Sequence, residues 1–83
     1  MTKSSIEGLK YFLDITADRC PMTFVKTRLM LDKMPDGAEL EVRLKGHEPL
    51  ANVPRSAKEI GCIVSEPVDL GGEVYEIVIT KPA

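Results

Sequence analysis

Between residues 38 and 45 apolar and polar residues alternate: Ala38, Leu40, Val42 and Leu44 point one way, Glu39, Glu41, Arg43 and Lys45 the other. Side chains along a strand alternate between faces, so this segment predicts a strand with one buried and one wet face. Its sheet is then covered by helices on one side only. A shorter run over residues 11–15 predicts an earlier strand in which Leu13 and Ile15 share a face. Between the two the period changes. Phe24, Thr27, Leu31 and Met34 recur at helical spacing with Met30 beside them. This predicts a helix from about Pro21 to Met34 with that stripe on the core. Val25 and Leu29, with Met22 near them, lie on another side of it. They form either the margin of a broad core face or an apolar rim open to a partner protein. Pro35-Asp36-Gly37 is a turn signal.

Beyond the alternating strand, Gly46-His47-Glu48-Pro49 opens a second helix, with Pro49 expected at the first helical position. Leu50, Val53, Ala57 and Ile60 fit its buried stripe, and Gly61 ends it. Pro54 inside the run predicts a kink or a later true start. Cys62 to Glu66 predicts a third strand, kept off the sheet centre by Pro67. Leu70-Gly71-Gly72 predicts a hairpin turn. Val74 to Thr80, the most apolar strand, belongs near the middle of the sheet. The order β-α-β-α-β-β predicts a two-layer α/β sandwich, a four-stranded mixed sheet with two helices on one face. The first two strands should be parallel, joined by a right-handed crossover. Residues 1–10 are expected to be a short arm and residues 11–83 a single domain.

Eighty-three residues suit one domain that folds without staples. A net charge of -2 argues against a dedicated nucleic-acid binder, which carries a basic excess. No apolar run approaches membrane-spanning length and the first residues lead into no secretory signal, so a cytoplasmic location is expected. His47 is the single histidine, and no Cys/His spacing suits zinc. Neither a metal nor a cofactor is expected.

The chemistry concentrates at Cys20-Pro21, where a strand gives way to a helix. A proline at the first helical position puts Cys20 at or beside the N-cap, facing free amides and the positive end of the helix dipole. Such a setting can bring a cysteine pKa from about 8.5 down toward about 3.5–7.5. The competing reading is a buried cysteine acting as a small hydrophobe. Arg19 favours the thiolate, and Asp18, if close, opposes it. Cys62 starts a strand and reads as a packed thiol, although pairing with Cys20 in a thiol–disulfide role is an alternative. His47 reads as a polar surface residue, with a place near Cys20 left open.

In order along the chain, Leu13-Asp14, Arg19-Cys20-Pro21, Lys26-Thr27-Arg28, Pro35-Asp36-Gly37, Glu48-Pro49 and Val53-Pro54 resemble the TusA/SirA-like sulfur-carrier family over about residues 11–81. That family has the same sandwich, similar to the C-terminal domain of translation initiation factor three. The resemblance implies that Cys20 is the nucleophile that accepts sulfane sulfur as a persulfide and passes it on. It implies that Pro21 sets the helix start and aims the thiol, and that Arg19, Lys26 and Arg28 meet acidic partners, with Met22 beside them. The implied partners are a sulfur donor, such as a cysteine desulfurase or a rhodanese-like protein, and a downstream acceptor protein. The implied pathways are tRNA wobble-uridine thiolation, molybdenum-cofactor synthesis or sulfur oxidation. A carrier of this kind is a transfer intermediate more than a turnover enzyme, and the charged outward residues of the second strand lead to the expectation of a monomer.

Two residues depart from the family pattern. The hallmark Cys-Pro-x-Pro reads Cys20-Pro21-Met22-Thr23, and Ala17 replaces the usual glycine three residues before the cysteine. Thr23 restores an N–H that proline lacks, so it is expected to offer the sulfur one more donor and to lower its pKa. The alternative function is a non-catalytic protein- or RNA-interaction module on the same fold, with Lys26, Arg28 and Lys33 as a local positive patch.

Overall fold

In the computed structural model, which describes residues 10–19 and 22–82, seven elements follow in order. They are β1 (Lys10–Asp14), α1 (Met22–Lys33), β2 (Glu39–Lys45), α2 (His47–Glu59), β3 (Ile63–Val64), β4 (Val68–Gly71) and β5 (Val74–Thr80). The expected N-terminal arm lies outside the described residues apart from Lys10, which already belongs to β1.

The sheet order is β1-β2-β5-β3, and β4 also pairs with β5. β1 and β2 are parallel, with Leu13 opposite Val42. β2 and β5 are antiparallel along their full lengths, with Leu40 opposite Ile79. β5 is therefore central, as its apolar sequence predicts. The single outer strand predicted from Cys62 onward is divided. β3 pairs with Ile79 and Thr80 at one end of β5, and β4 pairs with residues 74–76 at the other. Pro67 separates them. It has no N–H to give a ladder, so the sheet has five strands where four were expected. The β4–β5 turn places both Gly72 and Glu73 at positive φ, 63° and 67°. That is the two-residue geometry that matches the right-handed twist of a hairpin.

Both helices cover one face of the sheet. Ala38, Leu40, Val42, Leu44, Ile77 and Ile79 are buried there, with Ile15, Leu31, Met34, Val53 and Ala57. On α1 the buried stripe is Thr23, Thr27 and Leu31, continued by Met34, while Phe24 is only half-buried. Three of the four predicted stripe residues, Thr27, Leu31 and Met34, are buried, and only the first position differs, with Thr23 in place of Phe24. The cost of burying the Thr27 hydroxyl is offset by its donation to the Thr23 carbonyl at 2.8 Å.

α2 begins at His47, two residues before Pro49, and runs through Pro54 to Glu59. Pro54 therefore does not mark its start. Ile60, predicted as core, is 38% exposed because the helix has already ended. The Gly61 amide donates to the Lys58 carbonyl at 3.0 Å and the Cys62 amide to the Ala57 carbonyl at 3.0 Å. Gly61 has φ +95°, so this is a Schellman cap, which leaves Ile60 outside and turns Cys62 inward over Ala57.

Lys81, just past β5, seals the other end of α1. Its Nζ donates to the carbonyls of Leu31 and Met34, both at 2.8 Å. A cation on the last carbonyls of a helix satisfies orphan acceptors and opposes the negative end of the dipole. Lys81→Met should lower the unfolding free energy by about 1–3 kcal/mol. In urea titrations the midpoint should fall with little change in slope.

Candidate functional site at the ends of β1 and β2

Because β1 and β2 are parallel, their C-terminal ends lie side by side, and the segments leaving them meet. The segment after β1 is held by its own polar groups. Ile15 extends the ladder, its amide donating to the Arg43 carbonyl at 2.9 Å, and its side chain is buried. The Asp18 amide donates to the Ile15 carbonyl at 3.1 Å and closes a turn. The Asp14 carboxylate accepts from the Thr16 amide at 2.9 Å and from the Thr16 hydroxyl at 2.7 Å. These two bonds, the amide first, hold the Asp14 carboxyl below its ordinary value of 3.8, with Arg43 adding to them. Asp14 is thus a turn-forming residue.

The segment then reaches Arg19, which is exposed and whose carbonyl accepts from the Thr23 amide at 3.3 Å. Cys20 and Pro21, the predicted nucleophile and its helix-setting neighbour, lie outside the described residues. Asp18 on one side of them bonds Lys26 on the other, 2.9 Å from Oδ1 to Nζ. From the end of β2, Gly46 turns at φ +95° into α2. A cleft of about 360 Å³ opens between the two segments, lined by Asp18, Arg19, Lys45, His47 and Glu48 among others. A wider cleft of about 580 Å³ lies beside Asp14, Thr16, Arg43 and Leu70, and Lys45 lines both.

Among the residues singled out in sequence, Arg19 and His47 come together in the smaller cleft. Met22, Lys26 and Arg28 are exposed on α1, and so are Val25 and Leu29. Met22, Val25 and Leu29 are 46%, 39% and 55% exposed, so they form an open apolar face and not a margin of the core. Thr23 is fully buried. Its amide, expected to be an extra donor to sulfur, is engaged by the Arg19 carbonyl, because that bond continues the helical ladder to the residue before the cysteine. Cys62 is a free, buried thiol. Burial pushes its pKa above the ordinary 9.0, against the pull of Lys81 and Arg28. Its place in the core fits the packed role predicted for it.

Sequence reasoning missed two features. Lys45 was read simply as outward-facing, yet it borders both clefts. Asp18 was set against Arg19, whereas its partner is Lys26, eight residues away and on a different element, the helix that follows the Asp18 turn. No group of three or more His, Cys, Asp or Glu side chains among the described residues could hold a metal ion. No helix among them is long and apolar enough to cross a membrane.

The family described as sulfurtransferase TusA matches residues 11–81. A protein of Archaeoglobus fulgidus, provisionally named a sulfur carrier protein, is 39% identical over 70 residues, covering 83% of this chain and 78% of the relative. A protein of Methanocaldococcus jannaschii with a similar provisional name is 38% identical over 52 residues, 63% of this chain and 69% of the relative. The crystal structure of a SirA-like protein from Desulfitobacterium hafniense superposes with a TM-score of 0.76 at 18% identity, covering 88% of this chain and 99% of that one. This last likeness concerns the fold.

Proposed function

Because the chain belongs to the TusA family of sulfurtransferases, we propose that it is a sulfur carrier whose Cys20 accepts sulfane sulfur as a persulfide and relays it to an acceptor protein. The observation that supports this reading is the family's cysteine-proline pair, which follows in sequence directly after Arg19, and Arg19 lines the cleft where the parallel strands end. Ligands approach open α/β sheets at such carboxyl ends.

In the transfer, the Cys20 thiolate attacks the terminal sulfur of the donor's persulfide. A new S–S bond forms on Cys20, the donor's S–S bond breaks, and the donor leaves as a thiolate. The acceptor's thiolate repeats the exchange in the opposite sense. Nothing is oxidised or reduced overall, and no metal or cofactor enters the step. The rate depends on the thiolate fraction and on access. The reading implies a reducing, cytoplasmic setting, in which thiols stay free between transfers.

Donor and acceptor dock on the exposed face of α1. Met22, Val25 and Leu29 supply its apolar surface, with Arg28 and Lys26 beside them. This composition suits a partner surface that is apolar and edged with carboxylates.

Intact-mass spectrometry after incubation with a cysteine desulfurase, cysteine and pyridoxal phosphate tests the function. The expected result is a gain of one sulfur atom, removed by reductant. No gain from this donor or from a rhodanese-like donor overturns the carrier reading. If Cys20 also resists alkylation, the interaction-module alternative takes its place.

A further inference from the structure

We propose that the outer edge of β1 pairs antiparallel with β1 of a second copy of this chain, centred on Phe12, so that the two sheets join edge to edge in a weak homodimer. The inference goes beyond the carrier reading and does not rest on it. Among the described residues β1 pairs with β2 alone and ends the sheet on that side. The Ile15 amide donates to the Arg43 carbonyl, so Ile15 turns its backbone groups toward β2. That direction alternates along a strand. Tyr11 and Leu13 therefore also face β2, and Lys10, Phe12 and Asp14 direct their N–H and C=O groups outward. Such an edge is a template for another strand.

The sequence of β1, Lys10-Tyr11-Phe12-Leu13-Asp14, is complementary to itself in one direction. Antiparallel pairing about Phe12 sets Lys10 opposite Asp14 of the second copy, Tyr11 opposite its Leu13, and Phe12 opposite its Phe12. The outward-facing residues then fall at the hydrogen-bonded positions, each exchanging both bonds with the residue opposite. The same register puts opposite charges and two aromatic rings together on the open face of the sheet, whereas parallel pairing in register faces like charges with each other. The groups are available for this. Lys10 is exposed, and its contact with Glu41 is a long one at 3.7 Å. Both Thr16 bonds to Asp14 fall on Oδ1, which leaves Oδ2 to accept. The Phe12 ring is half-exposed. An edge of five residues buries little area, so the pair is transient and the chain is a monomer in dilute solution. The charged face of the sheet stays wet in this arrangement, as the expectation of a monomer requires of it.

Sedimentation velocity of the full chain, from dilute to millimolar concentration, tests the pairing. The wild type should sediment faster as concentration rises. Lys10→Glu sets a carboxylate opposite Asp14 at both ends of the seam and should raise the dissociation constant about tenfold. Asp14→Lys should do the same by opposing two cations. An equimolar mixture of these two variants should associate as the wild type does, because every opposed pair is then opposite in sign. Phe12→Pro removes the outward N–H at the centre of the seam and should abolish association while sparing the β2 ladder. Thermal melts establish that the variants are folded. Should Asp14→Lys unfold through loss of its turn with Thr16, Lys10→Glu and Phe12→Pro still decide. A wild-type sedimentation coefficient that does not rise up to millimolar concentration would overturn the proposal, as would association that Lys10→Glu and Phe12→Pro leave unchanged.

Discussion

Cys20→Ser will take up no sulfur from a persulfide donor, while Cys62→Ala will load as the wild type does. The two cysteines differ in what attack on a donor requires. Cys62 is 7% exposed, sits in the core cluster under the cap of α2, and has its thiol pKa raised by burial. It lacks both the access and the thiolate population needed for exchange at neutral pH. Cys20 follows an exposed arginine beside a cleft. Intact mass after donor treatment reads the difference directly. Loading that survives in Cys20→Ser and disappears in Cys62→Ala would reverse the assignment.

Cys62 also makes a prediction about pH. Its folded pKa lies above its unfolded value near 9.0. The folded state thus holds the proton more tightly, and the linked stability is fully present below pH 9.0. It is lost as pH rises through the folded value. Urea midpoints should fall in strongly alkaline solution, with a gentler fall in Cys62→Ala.

The sandwich was legible because its strongest signals agree across levels. Alternation from Ala38 to Lys45, the apolar run of β5 and the Pro35-Asp36-Gly37 turn each demand one local structure, and those structures pack together without conflict. The errors fall where tertiary partners decide. Periodicity could not tell Thr23 from Phe24 as the buried residue, since both lie within one turn of the same stripe. Ile60 continued the apolar spacing of α2, but Gly61 stopped the helix before it. The outer strand was divided by Pro67 once β5 was there to pair with both halves. At the candidate site, the family motif pointed to Cys20 and Arg19, and the parallel strands brought His47 and Lys45 to the cleft that Arg19 lines. The Asp18–Lys26 pair had no signal in sequence, because it joins a turn to a helix and no single element's period relates its two members.

Leu40→Ala should lower the unfolding free energy by about 2–5 kcal/mol, the cost of lost transfer energy plus the cavity left behind. Leu40 has no solvent exposure and lies on β2, with Tyr11 on one side and Ile79 on the other. Stability of a natural domain is only about 5–15 kcal/mol, so this one substitution consumes a large share of it. The neighbouring residue provides the control. Glu41 points to the opposite face and meets Lys10 at 3.7 Å, with side chains 33% and 54% exposed. An exposed pair of this kind is worth about 0–1 kcal/mol, so Glu41→Ala should barely move a urea midpoint. The contrast rests on the open face of the sheet being wet. If Glu41→Ala were as costly as Leu40→Ala, and if its midpoint rose with protein concentration, that face would be packed against a second copy in solution. Phe12 and Ile63, 48% and 69% exposed on that face, would then be interface residues, and the expectation of a monomer would fall with them.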